Sequence, residues 1–398
     1  MQNLFEIFEI KLRSVSLNFK RFLFDEIDWS NRMIAIQGAR GSGKTTLLLQ
    51  YIKSQFPKPG NKVLYVDVNH FYFTQNTLID LADLFYKQGG QSLFLDEIHK
   101  YQKWSVELKQ IYDTYNELQI IFTGSSILEL QKGEADLSRR LVSYFLPGLS
   151  FREYLEFNHQ LNYEKISLNS LIENHMSISQ LINNDIRPIE LFNEYLKNGY
   201  YPYFKENIYS YHEKLLNTIN LIIEVDLPAV ETIDFNNIQK IKKLLTIISQ
   251  SVPFKPNTQK LSELVGVSRP TLLRFFHMLQ KAQLILLLQS SSKGIQKMGK
   301  PDKIYLNNGN LMYALSGDLS NTGNIRESFF FNQLIVKHQL SLPKSGDFLV
   351  DDKYLFEIGG KNKSFKQIEG YENAFLVKDN IETGYNNIIP LWLFGFLY

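Results

Sequence analysis

Short apolar runs separated by helical segments fill the first 155 residues of the chain. The runs are rich in Ile, Leu, Val and Phe, which is typical of strands that are buried on both faces. They lie at residues 33–36, 63–68, 92–95, 120–122 and 141–146. The segments between them, such as residues 46–52 and 78–86, have helical propensity and are bounded by Gly and Pro. This alternation predicts an α/β fold with a parallel sheet.

The pattern changes beyond that region. Residues 156–235 have helical periodicity, are rich in Asn and Leu, and are interpreted as packing and hinge. Residues 259–276 favour two short helices around a turn at Gly266, with Ser268 capping the second helix and Pro270 in its first turn. The runs at residues 284–289 and 303–306 would then form the two strands of a wing.

The loop after the first strand carries the most specific motif of the chain. It reads Gly38-Ala39-Arg40-Gly41-Ser42-Gly43-Lys44-Thr45, followed by Thr46. The sequence fits the phosphate-loop pattern G-x-x-x-x-G-K-[ST], and the required strand and helix flank it. Glycines let successive N–H groups point into one concavity at a helix N-terminus, which suits phosphate oxygens. We expect residues 38–46 to bind ATP, with Lys44 on the β/γ-phosphates and Thr45 on Mg²⁺.

Two carboxylates follow the third apolar run. Asp96 ends the predicted strand, and Glu97 comes directly after it. Asp96 would support the Mg²⁺ shell, while Glu97 would orient or deprotonate the attacking water. The pair predicts nucleotide hydrolysis as well as binding.

The end of the fourth run carries small polar residues. Thr123, Ser125 and Ser126 would border the ligand crevice of an open parallel sheet, although each serine could equally be a helix cap. Arg139 and Arg140 precede the fifth run and offer a candidate arginine finger on a neighbour's nucleotide, or simply a solvated surface pair.

Composition limits the remaining function classes. The chain of 398 residues has Lys+Arg 43 against Asp+Glu 41, a net charge of +2, so nucleic-acid affinity would have to be local. It contains no cysteine, which excludes disulfides, thiolate metal sites and cysteine nucleophiles. The first 20 residues have no central apolar block, and no apolar run is long enough to span a bilayer. We expect a soluble cytoplasmic protein without a membrane partner.

Together these motifs resemble the AAA-type predicted ATPases of bacteria and archaea. The resemblance is carried by the loop, the Asp-Glu strand, Trp104, the Thr-Gly-Ser-Ser strand and the run Leu149-Ser150-Phe151-Arg152-Glu153-Tyr154. It implies an ATPase core, a helical lid, a winged helix and a nuclease-like C-terminal domain. It also implies that Glu97 is the catalytic glutamate and that Ser125 or a neighbour is the sensor. The family commonly has Gly-Arg where this chain has Ser138-Arg139-Arg140, so the identity of any finger is open; Arg140 is our candidate.

A basic segment covers the predicted winged helix. Residues 255–303 contain nine Lys/Arg against Glu263 and Asp302, which gives 9 − 2 = +7. Arg269 and Thr271 begin the second helix, where contacts to DNA would fall, and wing lysines would face a phosphate backbone. The wing lysines are Lys293, Lys297 and Lys300. Winged helices also bind proteins, so double-stranded DNA and a protein surface are both open as partners.

The tail resembles a restriction-endonuclease-like fold. A helix is predicted at residues 325–338, followed by strands at 347–350 and 354–358 and a helix near Lys366. Asp347 and Glu357 have the spacing of that fold's metal-binding carboxylates, which with a lysine would activate water. Gly359 stands where the lysine is expected, and the nearest lysines are Lys361 and Lys363. This departure favours a degenerate site over an active nuclease.

The sequence as a whole predicts four domains. They are an AAA-type P-loop core at 1–155, a helical lid at 156–235, a winged helix at 236–320 and a nuclease-like α/β domain at 321–398. The predicted function is Mg-dependent ATP hydrolysis that drives or gates a domain movement, with an association with double-stranded DNA through residues 255–303 left open. The alternatives are a nucleotide-regulated DNA nuclease of a defence system and an ATP-dependent signalling switch with little turnover. A homo-oligomer is open, because a finger acting in trans would require one.

Overall fold

The computed structural model describes residues 1–124, 137–230, 233–250, 256–290, 300–317 and 322–398. Over these residues the chain divides into two compact units, Met1–Gly148 and Leu149–Tyr398. Each unit has its own sheet. The finer division into four domains stays a prediction.

The first unit is built on a five-stranded sheet in which every strand pair is parallel. The strands are β1 (Met33–Gln37), β2 (Val63–Asp67), β3 (Ser92–Asp96), β4 (Gln119–Gly124) and β5 (Val142–Phe145), in the order β2-β3-β4-β1-β5. This confirms the predicted α/β fold and its parallel core. It also places β4 between the strand that leads into the phosphate loop and the strand that ends in Asp96.

Helices alternate with these strands along the chain. They are α1 (Gln2–Ser14), α2 (Leu23–Glu26), α3 (Lys44–Gln55), α4 (Leu78–Lys87) and α5 (Trp104–Thr114). The first four residues of β1, Met33 to Ile36, are completely buried, which explains its unbroken apolar sequence. Because all the strands run parallel, their carboxyl ends, and the polar residues that follow them, lie at one edge of the sheet.

Most of the described α-helices lie in the second unit. Its helices are α6 (Phe151–His159), α7 (Leu168–Asp185), α8 (Pro188–Asn198), α9 (Tyr211–Leu221), α10 (Leu227–Val230), α11 (Phe235–Ser249), α12 (Thr258–Val265), α13 (Arg269–Lys281), α14 (Gly309–Ser316) and α15 (Thr322–Leu334). The run that carries the family resemblance begins α6. There the Ser150 hydroxyl and the Glu153 carboxylate cap the helix reciprocally, and Arg152 donates to the Tyr398 carbonyl at 3.0 Å.

The predicted helix–turn–helix and hairpin are both present as elements. Gly266 takes a left-handed conformation with φ +76° between α12 and α13, and Ser268 caps α13. Strands β6 (Ile285–Leu288) and β7 (Lys303–Leu306) pair antiparallel. The structure therefore confirms the local elements, while their interpretation as a DNA-binding winged helix stays a prediction.

A second sheet, of mixed direction, closes the chain. Its strands are β8 (Leu340–Ser341), β9 (Phe348–Val350), β10 (Tyr354–Gly359), β11 (Ala374–Lys378) and β12 (Ile388–Pro390), in the order β12-β11-β10-β9-β8. The strand β10 pairs antiparallel with β9 and parallel with β11. The predicted helix at 325–338 ends at Leu334, and the predicted helix near Lys366 is one short 3₁₀ turn, Phe365–Gln367.

No helix among the described residues has both the length and the apolar character that crossing a bilayer requires.

Candidate nucleotide site

The phosphate loop owes its shape to its glycines. Gly41 and Gly43 have φ of +82° and +95°, values that side chains with a Cβ rarely adopt. Gly38 lies against the backbone carbonyl of Leu146, which follows β5, and a Cβ at Gly38 would collide with it. The motif glycines are thus required by backbone conformation at two positions and by close packing at the third.

Lys44, at the N-terminus of α3, is folded back over the loop. Its side chain is buried, and Nζ donates to the carbonyls of Gly38 at 3.0 Å and Ala39 at 2.8 Å. The ammonium group therefore lies inside the loop, next to the backbone that the motif expects phosphates to contact. Thr46, which follows in the first turn of α3, is exposed.

Asp96 accepts hydrogen bonds from hydroxyl groups on three other elements, α3, β2 and β4. Its Oδ2 accepts from Thr45 Oγ1 at 2.7 Å and from Tyr65 OH at 2.6 Å, while its Oδ1 accepts a short hydrogen bond from Thr123 Oγ1. Asp96 and Tyr65 are both almost fully buried. The structure thus brings Thr45 and Asp96 together, as the sequence predicted, although their roles toward a metal stay predictions.

Glu97 has an unusual backbone and two cationic neighbours. Its φ of +57° lies in the left-handed region, and its N–H donates to Thr123 Oγ1 at 3.1 Å. Its Oε2 lies 2.8 Å from Lys100 Nζ and 3.8 Å from Arg40 Nη1. Burial by itself would raise the pKa of Glu97, but the Lys100 hydrogen bond and the charges of Lys100 and Lys44 outweigh burial and lower that pKa.

Three residues near these carboxylates were not predicted from the sequence. Tyr65 hydrogen-bonds Asp96, Lys100 pairs with Glu97, and His99 is buried beside both lysine and arginine side chains. Burial and the charges of Lys44, Lys100 and Arg40 lower the pKa of His99 to about 4, so its ring is neutral at physiological pH. The available signal was proximity in sequence for His99 and Lys100, and a polar side chain on the neighbouring strand for Tyr65.

The remaining candidates in the first unit have different positions. Ser125 and Ser126 lie outside the described residues. Thr123 is completely buried and links Asp96 with the Glu97 backbone. Arg140, our candidate finger, makes a two-point ion pair with Asp113 of the same unit, at 2.8 and 2.9 Å.

The basic segment is less exposed than its sequence suggested. Lys303 was counted in the local charge of +7, but it is buried in an ion-pair cluster and adds nothing to an exposed basic surface. Its side chain is 7% exposed and its ammonium is paired with Glu327 at 3.3 Å and Asp347 at 3.0 Å. Arg269 and Lys300 are exposed, in keeping with a basic surface. Three counted lysines lie outside the described residues, namely Lys255, Lys293 and Lys297.

The predicted tail carboxylates belong to the same cluster as Lys303. Asp347 Oδ2 accepts from the Ile358 N–H at 3.0 Å, and Glu357 Oε1 lies 2.5 Å from Lys363 Nζ. Gly359 permits this contact, because a Cβ at that position would collide with the Lys363 side chain. The second carboxylate oxygen of Glu357 is buried without a hydrogen-bond partner.

Burial raises the pKa of two carboxyl groups in this C-terminal cluster, Glu327 and Glu357. Burial and the charge of Asp347 raise the pKa of Glu327, to which Tyr305 OH donates at 2.7 Å. Burial likewise raises the pKa of Glu357, although Lys363 opposes the shift. Among the described residues, no group of three or more His, Asp or Glu side chains is arranged to hold a metal ion.

Comparison with known families agrees with the geometry of the first unit. Residues 30–155 match the family model described as an AAA domain, and residues 189–322 match a domain of unknown function (DUF8612). The protein therefore contains a P-loop ATPase domain of the AAA type.

Relatives occur in the archaeon Methanocaldococcus jannaschii. The chain is 27% identical to "Uncharacterized protein MJ1637" over 290 residues, 68% of this chain and 60% of that protein. It is 25% identical to "Uncharacterized protein MJ1544" over 399 residues, 91% of this chain and 85% of that protein. The chain thus spans less than two thirds of the first relative and most of the second.

Two solved structures are also similar. One is the Walker-type ATPase paby2304 of Pyrococcus abyssi, with 12% identity, a TM-score of 0.43 and coverage of 75% of this chain and 95% of that one. Another is DnaA from Aquifex aeolicus bound to AMPPCP, with 16% identity, a TM-score of 0.27 and coverage of 69% and 86%.

Proposed function

We propose that the first unit binds ATP with Mg²⁺ and hydrolyses it, and that the nucleotide state drives or gates a movement of residues 149–398. The observation that carries the proposal is the Asp96 carboxylate, which hydrogen-bonds Thr45 of the phosphate-loop helix and is followed at once by Glu97. A glycine loop alone would support binding. A base beside the loop supports hydrolysis as well.

The loop, the glutamate that follows β3 and Thr123 have separate roles in this proposal. Backbone N–H groups of residues 38–45 would contact phosphate oxygens, and Lys44 would exchange the carbonyls of Gly38 and Ala39 for the β- and γ-phosphates. Glu97 would accept a proton from the water that attacks the γ-phosphorus. Thr123 would hold the Glu97 backbone and the Asp96 side chain in register.

The residues at the loop suit Mg²⁺. The ion prefers oxygen ligands and commonly keeps few protein ligands beside substrate phosphates. Thr45 offers a hydroxyl oxygen and Asp96 a carboxylate oxygen, and the two atoms, Oγ1 and Oδ2, lie 2.7 Å apart. Both are oxygen ligands. When bound, Mg²⁺ would supply positive charge at the β- and γ-phosphate oxygens.

Steady-state ATP hydrolysis tests the proposal directly. We expect Glu97→Gln to lower kcat by about a hundredfold or more while ATP still binds, since general-base catalysis contributes on that order. Glu117→Gln is the matched control, because Glu117 is an exposed glutamate of the same unit and should leave kcat unchanged. Undiminished turnover in Glu97→Gln would refute the role of Glu97, and absence of ATP binding to the wild type would refute the proposal as a whole.

The same assay addresses DNA. We propose that double-stranded DNA contacts exposed residues of the segment 256–290 together with Lys300, with Arg269 at the start of α13 as one contact. Stimulation of hydrolysis by DNA, reduced in Arg269→Gln and by added salt, is the expected result. Equal rates of ATP hydrolysis with and without DNA, together with no DNA binding at low salt, would refute this proposal and leave a protein as the partner of this surface.

A metal-dependent DNA nuclease is a second candidate, and the contact between Lys363 and Glu357 favours it. Sequence spacing suggested a missing lysine, whereas Lys363 reaches the carboxylate across Gly359. Nicking of supercoiled plasmid with Mg²⁺ or Mn²⁺, abolished in both Asp347→Asn and Glu357→Gln, is the expected result for this candidate. An intact plasmid with either metal, with ATP and without it, would eliminate it.

A further inference from the structure

A buried arginine ahead of the first sheet connects the phosphate loop with the end of the first unit. Arg21 lies between α1 and α2 and is almost fully buried. Its Nη1 donates to the carbonyl of Ser42, inside the loop, at 2.6 Å. Its Nη2 donates to the carbonyls of Pro147 at 2.9 Å and Gly148 at 2.8 Å. Because Gly148 is the last residue of the first unit, one guanidinium group contacts both the loop and the segment by which the chain leaves this unit.

The same segment, residues 146–148, also packs against the start of the loop. The Leu146 N–H donates to the Gln37 carbonyl at 2.7 Å, which extends the pairing of β5 with β1 beyond the ladder. A Cβ at Gly38 would collide with the Leu146 carbonyl oxygen. Residues 146–148 therefore contact the loop directly at its start and through Arg21 near its end.

The N-terminal segment that carries Arg21 is itself fixed on α3, the helix that begins at the loop. Gln50, a buried residue of α3, donates from Nε2 to the carbonyls of Ser16 at 2.8 Å and Phe19 at 2.6 Å. These bonds satisfy main-chain carbonyls in a stretch between helices. Arg21 thus has a defined position relative to the loop and its helix.

We propose that Arg21 is a positioning residue that couples the phosphate loop to residues 147–148, so that nucleotide binding at the loop shifts the point at which the chain passes into the second unit. The inference rests on the proposed function and names the connection through which the nucleotide state reaches residues 149–398. Arg21 contacts no reacting atom in this account. It acts through the main-chain carbonyls that it holds.

The peptide unit between Ser42 and Gly43 is where ligand and arginine meet. The Ser42 carbonyl shares this planar unit with the Gly43 N–H, which would contact phosphate in the proposed function. A cation on the carbonyl oxygen polarises the unit and makes the N–H a stronger donor. A phosphate that reorients the N–H must also reorient the carbonyl, and with it the acceptor of Arg21.

The geometry of the guanidinium group makes this coupling specific to arginine. Its donors form a rigid planar fork, so the acceptors on Nη1 and Nη2 keep a fixed relation to each other. A buried cation that loses an acceptor pays its desolvation cost. When the Ser42 carbonyl shifts, the carbonyls of residues 147–148 are therefore expected to follow it rather than separate from Arg21.

Distance measurements by double electron–electron resonance test the inference. The chain contains no cysteine, so an introduced pair takes spin labels at two sites only. Lys87→Cys on α4 and Gln180→Cys on α7 place one label at an exposed position of each unit. We expect a non-hydrolysable ATP analogue with Mg²⁺ to shift the distance distribution in the chain that is otherwise wild type.

Arg21→Lys keeps the charge but has no fork to hold both sets of carbonyls. It should bind the analogue within about fivefold of wild type, the effect of one hydrogen bond, and lose most of the shift. Arg21→Gln, which is neutral and shorter, should behave in the same way and replaces Arg21→Lys if that variant does not fold. Arg32→Lys is the matched control, because Arg32 donates to the Tyr112 carbonyl on α5 instead of the loop, and it should keep the full shift.

The outcomes separate this inference from the proposed function. A wild-type chain that does not bind the analogue, or that binds it without a shift, refutes the proposed movement and the inference with it. A full shift in the Arg21 variants would overturn the inference and leave the proposed function standing. Loss of analogue binding in both Arg21 variants would show that Arg21 only maintains the loop, and would overturn the coupling as well.

Discussion

The hydroxyl group of Thr123 is the smallest change that should disturb both carboxylates of the nucleotide site at once. It donates to Asp96 Oδ1 and accepts the Glu97 N–H at 3.1 Å, and its side chain is completely buried. Thr123→Val keeps the shape of the side chain and removes both hydrogen bonds. Thr123→Ser keeps the hydroxyl and removes only a methyl group, so it is the matched control.

The magnitude follows from the two bonds that are lost. A hydrogen bond to a charged group contributes about 1.5–3 kcal/mol, and a buried N–H without a partner costs about 1–3 kcal/mol. Asp96 still accepts from Thr45 and Tyr65 in the variant, which limits its share of the loss. We therefore expect Thr123→Val to lower the free energy of unfolding of the first unit by about 3 kcal/mol, against about 1 kcal/mol for Thr123→Ser.

Tryptophan fluorescence can measure this difference during urea unfolding. Trp29 and Trp104 lie in the first unit and Trp392 in the second, so a Trp392→Phe background makes the signal report the first unit. Displaced Asp96 and Glu97 should also reduce kcat by about tenfold or more in Thr123→Val, because small misplacements of catalytic groups are costly. If the Val and Ser variants unfold at the same urea concentration and turn over ATP equally fast, the bridging role of Thr123 is wrong.

Three further predictions follow from the two carboxylate clusters. Tyr65→Phe removes one donor to Asp96 but keeps the ring, so the Mg²⁺ concentration for half-maximal ATP hydrolysis should rise severalfold in a metal titration, and an unchanged value would contradict the role of the hydroxyl. The pKa of His99 is held near 4, below its ordinary 6.5, so between these two pH values only the unfolded chain takes up a proton at this residue. The stability that the neutral ring contributes is therefore complete above pH 6.5, and the free energy of unfolding should be about 2 kcal/mol smaller at pH 5. Unfolding titrations at both pH values should show a weaker pH dependence of this free energy in His99→Gln. Lys303→Met leaves Glu327 without its buried cation and should lower the free energy of unfolding of the second unit by about 3 kcal/mol or more near neutral pH. The loss should be smaller at pH 5, because protonated Glu327 no longer needs a counter-charge; Trp392 fluorescence during unfolding measures both values.

The elements of the first unit were predictable because each depends on local sequence. Strands buried on both faces have unbroken apolar runs, and β1 is the clearest case, with Met33 to Ile36 fully buried. The phosphate loop was predictable because its glycines meet backbone requirements that residues with a Cβ rarely satisfy. The pairing of Thr45 with Asp96 followed from the loop and the acidic strand end together.

Contacts between side chains distant in sequence were not predictable in the same way. Tyr65 reaches Asp96 only because β2 and β3 are neighbours, with Tyr65 two register positions from the end of the ladder. Nothing in a single strand specifies its neighbour. Lys303 was counted in the basic charge of the predicted winged helix, and lysines usually are exposed. Its burial depends on Glu327 and Asp347, which lie 24 and 44 residues away along the chain.

Lys363 illustrates why a missing motif residue is weak evidence against a site. The spacing rule places the lysine two residues after Glu357, on the same strand, and Gly359 stands there. The chemistry behind the rule requires an ammonium group at a certain place beside the carboxylate. It does not require that the lysine occupy a particular position in the sequence. A glycine leaves space beside the strand, and a lysine four residues further on fills that space and reaches Glu357 at 2.5 Å.

The resident lysine of the C-terminal carboxylate cluster weighs against tight metal binding there. A buried carboxylate without a counter-charge is costly, so a resident cation is the expected state of this cluster. A divalent cation at Glu327 and Asp347 would repel Lys303, whose side chain is only 7% exposed and is paired with both carboxylates. We therefore expect metal to bind this cluster weakly unless Lys303 is removed.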